Sequence, residues 1–344
     1  SLPFVKEIIP DDVRRELDAL PNFSVDEYEE LVETHVSNWH GQDDRLRVVL
    51  APCGPQRCSP ELLRSIGRWA ERWDLPIHSH TLETRLQAVQ ARRDHGKTWI
   101  RFLDDLGLLT PRTTLVHGIW LTDEDIQLLG KRECSVVHNP LSNLKLGSGV
   151  CPVRRLLEAG VNVALGTDGM TTSDTADLVE AVRAASLIHK IEGPDFERWI
   201  SAEEVFDMAT RGGTRTGLMA DSLGAIEVGR RADLILLDAN DWGFTPLTNP
   251  VQQLAYSASS SSVVTSIING RVVMSDRTVL TVDETALKSE IASAAERFWH
   301  EDVPAMRAGA GRLTPYIDAM YRRGLEEDLD LHPDPMLASF QRRN

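Results

Sequence analysis

Two features that would place the protein in a membrane or in a disulfide-rich class are missing from its sequence. The 344 residues include only four cysteines, Cys53, Cys58, Cys134 and Cys151, too few for a disulfide framework in a chain of this length. No stretch approaches the roughly eighteen consecutive apolar residues of a membrane span, and the opening SLPFVKEIIPDD does not have the pattern of a signal peptide. The sequence therefore predicts a cytoplasmic protein without a membrane partner.

Positive charge is also scarce. The sequence has 37 Lys and Arg against 52 Asp and Glu, a formal net charge of −15, and it contains no basic run. A field of this sign repels a phosphate backbone, so we exclude nucleic acid as a partner. The hydrophobic share of 42% and the charged share of 26% are ordinary for a globular protein.

A repeated strand–helix pattern begins near residue 46. Short apolar runs, typical of buried parallel strands, alternate with helical segments. Ser59-Pro60 and Thr122 predict the starts of two of these helices. The pattern predicts the α/β class, as a TIM-like (β/α)8 barrel or a doubly wound sheet. The five runs are RLRVVLAP, LPIHSH, TTLVHG, CSVVHN and VNVALGTDG.

The pattern changes after residue 215. ADLILLD and SVVTSIINGRVVM are strand-like, with Asn269-Gly270 as a predicted hairpin turn, and ETALKSEIASAAERFW returns to helix. We therefore predict a barrel over residues 1–215, a small β module over 216–280 and a C-terminal helical segment over 281–344 that packs on the barrel.

Some expected parts of such folds are absent. A closed barrel of this kind has eight strands, and five parallel strands leave two open edges. A doubly wound nucleotide-binding protein needs a glycine-rich turn after its first strand, whereas APCGPQRCSP offers a single glycine. Either the sheet is open, or three strands belong to a part of the protein absent from this sequence, and the single glycine disfavours a nucleotide-binding sheet.

Polar residues end four consecutive predicted strands. His80, His117, His138 and Asp168 each stand at the carboxyl end of a strand, and Glu83 follows His80 by three residues. The carboxyl ends of parallel strands converge on one site, so we expect these side chains to cluster. A lone histidine in such a place is usually a hydrogen-bonded core residue, but four strand ends in succession favour a functional site.

Imidazole and carboxylate groups are suitable ligands for Zn²⁺ or Fe²⁺, which would activate a water molecule. Glu83 is placed to transfer protons beside such a site. The zinc deaminases of the cytidine type have H-x-E and P-C-x-x-C, but here the spacing is H-x-x-E, and PCGPQRC separates its cysteines by four residues. That alternative fails, and Cys53 and Cys58 are interpreted as unpaired loop residues.

The segments IHSHTLET, LVHGIWLT, SVVHNPLSNLKLGSG and ALGTDG, in this order, resemble the amidohydrolase superfamily. The similarity is to the branch of cytosine, guanine and S-adenosylhomocysteine deaminases and triazine chlorohydrolases, and it covers roughly residues 46–275. It implies a TIM-like (β/α)8 barrel beside a small β-sandwich. GGTRTGLMADSLGAIEVGRRADLILLD also fits that branch, where it leads into the β-sandwich.

The resemblance implies a role for each strand-end residue. His80 and Asp168 would bind one divalent metal, zinc as first choice and iron as second. Glu83, His117 and Asp168 would be catalytic: Glu83 as the proton shuttle, His117 to orient the attacking hydroxide, and Asp168 to accept the proton of the water. His138 would line the substrate pocket.

His78 shares the strand of His80, and we expect it inside the barrel rather than on the metal. The family's first strand carries an H-x-H pair that supplies two more metal ligands, and no such strand precedes residue 46 here. We therefore expect the sequence to be a portion of a larger enzyme.

The predicted function is metal-dependent hydrolytic deamination of an amino-substituted nitrogen heteroaromatic, of purine, pteridine, pyrimidine or triazine type. Two alternatives stay open: dechlorination or dealkylamination of a triazine by the same site, and a non-catalytic amidohydrolase-like scaffold. Gln56, Arg57 and Cys53 are the further candidates for substrate binding. Cys53 stands where some relatives carry a histidine, which favours a free base or pterin-like ring over a nucleoside. We also expect a homodimer or larger homo-oligomer.

Overall fold

The structure is a computed structural model that describes residues 3–19 and 23–329. The strands are β1 Ile77–Thr81, β2 Thr113–His117, β3 Ser135–His138, β4 Asn162–Leu165, β5 Leu234–Leu237, β6 Val263–Ile268, β7 Arg271–Ser275 and β8 Thr278–Val279. The helices are α1 Val5–Ile8, α2 Asp11–Asp18, α3 Val25–Trp39, α4 Pro60–Arg72, α5 Arg85–His95, α6 Trp99–Asp105, α7 Asp123–Lys131, α8 Pro140–Lys145, α9 Val153–Glu158, α10 Met170–Ser173, α11 Leu178–Ile188, α12 Ala202–Asp207, α13 Gly213–Thr216, α14 Pro250–Tyr256, α15 Glu284–Glu301 and α16 Val303–Glu326.

The strands β1 to β4 form a parallel sheet in chain order. Its register pairs His80 with Val116, Val116 with Val137, and Val137 with Ala164. Paired residues of parallel strands project to the same face, so this row marks the face that carries His80. The other face, with Leu115 and its neighbours fully buried, packs against the surrounding helices. The sheet therefore has a helix-covered face and an inner face.

The first predicted strand, RLRVVLAP, is present only as a single bridge. Leu50 pairs with Ile77 in parallel, with hydrogen bonds from Leu50 N to Pro76 O and from His78 N to Leu50 O, both 2.9 Å. No other residue of this run joins a strand ladder in the described chain, because the run has β1 on one side and no strand on the other. The sheet is open within the described residues, as the strand count predicts.

The opposite edge of the sheet contacts a turn of π-helix, Met208–Gly212. A Cβ on Gly212 would lie 2.4 Å from the carbonyl oxygen of Val163 in β4. Only glycine permits so close an approach between the helix and the strand backbone. This contact fixes the position of β4, and Asp168 lies in the loop that follows β4.

The predicted helix caps are present. Ser59 Oγ accepts a hydrogen bond from Leu62 N at 3.1 Å at the start of α4. Thr122 and Asp125 form a reciprocal capping box at the start of α7, with bonds of 3.1 and 3.0 Å. These local signals are strong because each side chain satisfies a backbone donor that the helix leaves free.

The strands β5 to β8 form a separate antiparallel sheet, within the range predicted for the second module. Asn269 and Gly270 connect β6 to β7 with φ values of 47° and 77°, as a two-residue hairpin turn requires. The helix α16 contacts α5, where Arg85 Nε donates to Gly324 O at 3.0 Å. Residues 330–344 of the predicted C-terminal segment lie outside the described residues. Among the described helices, none has the length and apolar character to span a membrane.

Candidate active site

Three of the predicted residues meet at the carboxyl ends of the parallel strands. One ligand atom from each of His80, His117 and Asp168 lies within 4.8 Å of the other two. They come from the ends of β1 and β2 and from the loop after β4. The expected convergence of strand ends is therefore present for these three side chains.

The imidazole of His80 is oriented by the loop before α4. His80 Nδ1 lies 3.0 Å from the carbonyl oxygen of Cys53, which can only accept a hydrogen bond. His80 Nδ1 therefore carries the hydrogen, and in the neutral ring Nε2 keeps its lone pair. The residue is exposed, so this lone pair can be reached from outside the protein.

His117 is held by an asparagine of α8. Its Nδ1 lies 2.9 Å from Asn143 Oδ1, and both residues are buried. The amide oxygen accepts the Nδ1–H, so in the neutral ring Nε2 of His117 keeps its lone pair. That Nε2 atom lies 3.9 Å from Glu83 Oε2 and 3.9 Å from Asp168 Oδ2, too far for direct hydrogen bonds.

Asp168 is fixed by two hydrogen bonds. Ser142 Oγ donates to Oδ2 at 2.5 Å, and Gly169 N donates to Oδ1 at 2.8 Å. Burial by itself would raise the pKa of Asp168, but the bonds from Ser142 and Gly169, with His117 nearby, hold its pKa below the usual value of an aspartate. The group is a carboxylate at neutral pH.

Two of these residues have unusual backbone conformations. His117 has a φ of 76° and Asp168 a φ of 61°, in the left-handed region that non-glycine residues seldom adopt. By strand alternation His117 would share the helix-covered face of Leu115. The positive φ instead brings its ring to the inner face, 5.6 Å between centroids from the ring of His80. Such strain, roughly 1–3 kcal/mol per residue, is concentrated at functional sites.

This set of groups is suitable for a divalent metal ion. Two imidazole nitrogens with free lone pairs and one carboxylate face a common space, and the Glu83 carboxylate adds a second negative charge there. A cation between these groups would remove the repulsion between lone pairs and carboxylates. His80 and Asp168, with His117 beside them, can therefore hold one metal ion.

His138 does not join the cluster. It shares the face of Val136, because residues two apart in a strand project to the same side. Its Nε2 lies 3.2 Å from Nε2 of His189, whose Nδ1 lies 2.5 Å from Glu192 Oε1. His138 is 1% exposed. The expectation of four converging strand-end residues is thus corrected to three, and the contact of His138 with substrate stays a prediction.

The loop with the other predicted substrate-binding residues lies against the end of β1. A Cβ on Gly54 would lie 2.8 Å from Gln56 Nε2 and 3.0 Å from His80 O, which shows how closely the loop and strand approach. Arg57 Nη1 lies 3.5 Å from Cys53 Sγ, and both residues are exposed. The structure therefore places Cys53 against His80, with Gln56 and Arg57 in the same loop.

His78 projects to the same face of β1 as His80, but it bonds a different part of the chain. Its Nε2 donates to Thr216 O at 3.1 Å, and burial lowers its pKa although this bond raises it.

Residues that the sequence reasoning missed are Ser142 and Asn143. Their only sequence signal is a polar pair in the first turn of a short helix that follows β3 directly.

The sequence profile of the Amidohydrolase family matches residues 13–273. The chain is 40% identical over 261 residues to the 5'-deoxyadenosine deaminase of Methanothermobacter thermautotrophicus, covering 76% of this chain and 60% of that protein. It is 38% identical over 259 residues to the 5-methylthioadenosine/S-adenosylhomocysteine deaminase of Caldanaerobacter subterraneus subsp. tengcongensis, covering 75% and 60%. The chain spans about 60% of the length of these curated relatives.

Solved structures are also similar. An adenosine deaminase from Xanthomonas campestris with bound zinc has a TM-score of 0.77 at 31% identity, over 82% of this chain and 64% of that one. Atrazine chlorohydrolase from Arthrobacter aurescens, complexed with zinc, has a TM-score of 0.75 at 27% identity, over 78% and 60%. These matches confirm the α/β class and the TIM-like architecture, of which four consecutive parallel strands are described here. The chain belongs to the amidohydrolase family.

Proposed function

We propose that the protein hydrolytically removes the exocyclic amino group of a purine nucleoside and releases ammonia. The observation that carries this proposal is the cluster of His80, His117 and Asp168 with the Glu83 carboxylate beside it. The deaminases named above, at 38–40% identity, support the choice of leaving group and ring.

We propose that His80 and Asp168 hold one divalent metal, with zinc as the first choice. Two similar structures contain zinc. Imidazole and carboxylate groups are usual zinc ligands, although they also suit iron. When bound, the metal supplies Lewis acidity and lowers the pKa of a water molecule.

The chain's own groups would position and move protons. His117 Nε2 accepts a hydrogen bond from the attacking water, because its Nδ1–H is committed to Asn143. Asp168 is already a carboxylate at neutral pH and accepts the proton of that water. The two protons of the water are accepted by Glu83 and by Asp168. Glu83 Oε2, 3.9 Å from His117 Nε2, delivers the first of them to a ring nitrogen and then passes the second, taken up by Asp168, to the departing amine. The new C–O bond replaces the C–N bond, and the amine leaves as ammonia.

The proposed substrate differs from the free base that the sequence favours. The relatives named above are deaminases of 5'-deoxyadenosine and of 5-methylthioadenosine or S-adenosylhomocysteine. We therefore propose an adenosine with a modified 5' position. Cys53, against His80, and Gln56 and Arg57 in the same loop are the proposed contacts to this substrate.

A second candidate function is hydrolysis of a triazine. The similarity to atrazine chlorohydrolase, with a TM-score of 0.75, favours it. The same groups can expel chloride or an alkylamine from an aromatic carbon. The sequence identity to that enzyme is 27%, below the 40% to 5'-deoxyadenosine deaminase, so we rank it second.

The test is a substrate panel with zinc-loaded protein. Ammonia release is measured with 5'-deoxyadenosine, 5'-methylthioadenosine, adenosine and adenine, and chloride release with atrazine. We expect kcat/KM to be highest for a 5'-modified nucleoside. A higher value for adenine would contradict the nucleoside proposal, and chloride release as the fastest reaction would favour the triazine hydrolase.

The role of Glu83 is tested separately. Glu83→Gln is nearly isosteric but cannot shuttle a proton, so kcat should fall about 10²–10⁴-fold while the metal content stays the same. Glu290→Gln, at an exposed position of α15, is the control. A Glu83→Gln variant within about threefold of the wild type would remove Glu83 from the mechanism. A protein that binds no metal and turns over no substrate would support the scaffold alternative.

We also propose a cytoplasmic location, which four free cysteines support. A homodimer or larger homo-oligomer stays a prediction, which sedimentation of the purified protein would test.

A further inference from the structure

Two consecutive side chains of α8 contact two different groups of the candidate site. Ser142 bonds Asp168, which lies 26 residues ahead, and Asn143 bonds His117, which lies 26 residues behind. We propose that Ser142 and Asn143 are positioning residues that fix the Asp168 carboxylate and the tautomer of His117. The inference rests on the site residues of the proposed function but not on its substrate.

Ser142 acts on one oxygen of Asp168. Its hydroxyl donates to Oδ2 at 2.5 Å, the same oxygen that lies 3.9 Å from His117 Nε2. Oδ1 is held separately by Gly169 N. With each oxygen bonded to a different donor, the carboxylate cannot rotate freely about its terminal torsion. Ser142 has no exposed surface, so this hydrogen bond is protected from competing water.

Asn143 acts on the proton of His117. Its Oδ1 accepts the Nδ1–H, and this selects the tautomer in which Nε2 faces the two carboxylates as a free lone pair. Asn143 Nδ2 is buried, and within the described residues it has no hydrogen-bond partner. The amide oxygen therefore carries the function of this side chain, and the amino group contributes no bond that a substitution would lose.

The backbone around this pair is anchored at the end of β3. Pro140 is the first residue of α8, and α8 follows the end of β3 after a single residue, Asn139. A Cβ on Gly166 would lie 2.3 Å from Asn139 Oδ1, so the Asn139 side chain lies against the backbone that follows β4. Groups that orient a metal ligand or a catalytic imidazole need such a fixed backbone.

The first test measures metal binding, which needs no turnover. Co²⁺ is titrated into metal-free protein, and its affinity and absorption spectrum are recorded for Ser142→Ala and for the near-isosteric Ser142→Cys. We expect Ser142→Ala to weaken Co²⁺ binding about 10–100-fold, because partners that orient a metal ligand have effects of this size. Ser142→Cys, which keeps a weak donor, should lie between Ser142→Ala and the wild type.

The matched control is Ser135→Ala at the other end of β3. Ser135 is buried, and its hydroxyl accepts a hydrogen bond from Asn162 at 2.9 Å. The control therefore also removes a buried serine hydroxyl, but away from the site. If Ser142→Ala and Ser142→Cys both bind Co²⁺ as tightly as Ser135→Ala, the proposal for Ser142 is overturned.

The second test reads the tautomer of His117 directly. NMR of protein labelled with ¹⁵N-histidine distinguishes protonated from unprotonated ring nitrogens, and His117→Asn identifies the resonances. We expect Nδ1–H in the wild type and in Asn143→Asp, because a carboxylate oxygen also accepts this proton. Asn143→Ala should show a mixture of tautomers and a lower kcat, by about 10–100-fold.

The opposite pattern would overturn the proposal for Asn143. An Nε2–H tautomer in the wild type, or the same tautomer in Asn143→Ala and wild type, would show that Asn143 does not select it. Absence of ammonia release would contradict the proposed function alone, since the Co²⁺ and NMR measurements do not depend on substrate.

Discussion

The free energy of unfolding should depend on pH through His138. The Glu192 carboxylate accepts the Nδ1–H of His189, and His189 Nε2 lies 3.2 Å from His138 Nε2. His138 Nδ1 is buried and without a hydrogen-bond partner in the described chain. A second proton on His138 would have to be carried by this buried Nδ1 atom, without a hydrogen-bond acceptor or solvent around it. Burial first, and then His189 and His117, therefore lower the pKa of His138 well below 6.5.

The size of the effect follows from proton linkage. Below an unfolded-state pKa of about 6.5, the unfolded chain takes up a proton at this residue and the folded chain does not. The protein is therefore less stable as the pH falls, by about 1.4 kcal/mol per pH unit for this proton, until the lowered pKa is reached. Between pH 7.5 and 5.5 the loss integrates to about 1.4 kcal/mol.

The measurement compares urea unfolding at these two pH values for the wild type and His138→Gln. Glutamine keeps a donor for His189 but does not titrate, so the loss between the two pH values should be smaller by about 1.4 kcal/mol. His78, whose pKa is also lowered by burial, contributes in the same direction in both proteins and cancels. His300→Gln, at an exposed position of α15, is the control. Equal pH dependence in the wild type and His138→Gln would refute the reasoning.

Two further predictions concern the sheet edge and the metal. Gly212→Ala should lower the free energy of unfolding by roughly 1–3 kcal/mol because its Cβ meets Val163 O at 2.4 Å. A Cβ on Gly213 would meet no atom within 4 Å, and Gly213 has a helical φ of −61°, so Gly213→Ala should instead raise the free energy of unfolding by roughly 0.4–1 kcal/mol. Equal effects of the two substitutions in urea unfolding would contradict the close contact between Gly212 and Val163. Zinc at about one hundred times its Kd should stabilise the metal-free protein by about 2.7 kcal/mol, and a chelator should reverse this. His80→Ala should abolish the stabilisation, and a zinc effect that persists in that variant would place the ion elsewhere.

The sequence by itself determined the local elements and the chemistry available at their ends. The apolar runs before His80, His117 and Asp168 give strands because each run is short, apolar throughout and bounded by turn residues. The caps at Ser59 and Thr122 could be read directly, because a cap satisfies backbone donors only two or three residues away. The family resemblance also came from such contiguous segments.

Only the tertiary structure decided which strand-end side chains meet. His138 ends a strand as His80 does, but the register of the sheet directs it to the helix-covered face. His117 reaches the inner face through a positive φ that no residue type at that position predicts. Ser142 and Asn143 find partners 26 residues away in opposite directions. Such contacts depend on how neighbouring strands are paired, and the local sequence pattern fixes the strands but not the side chains that their pairing brings together.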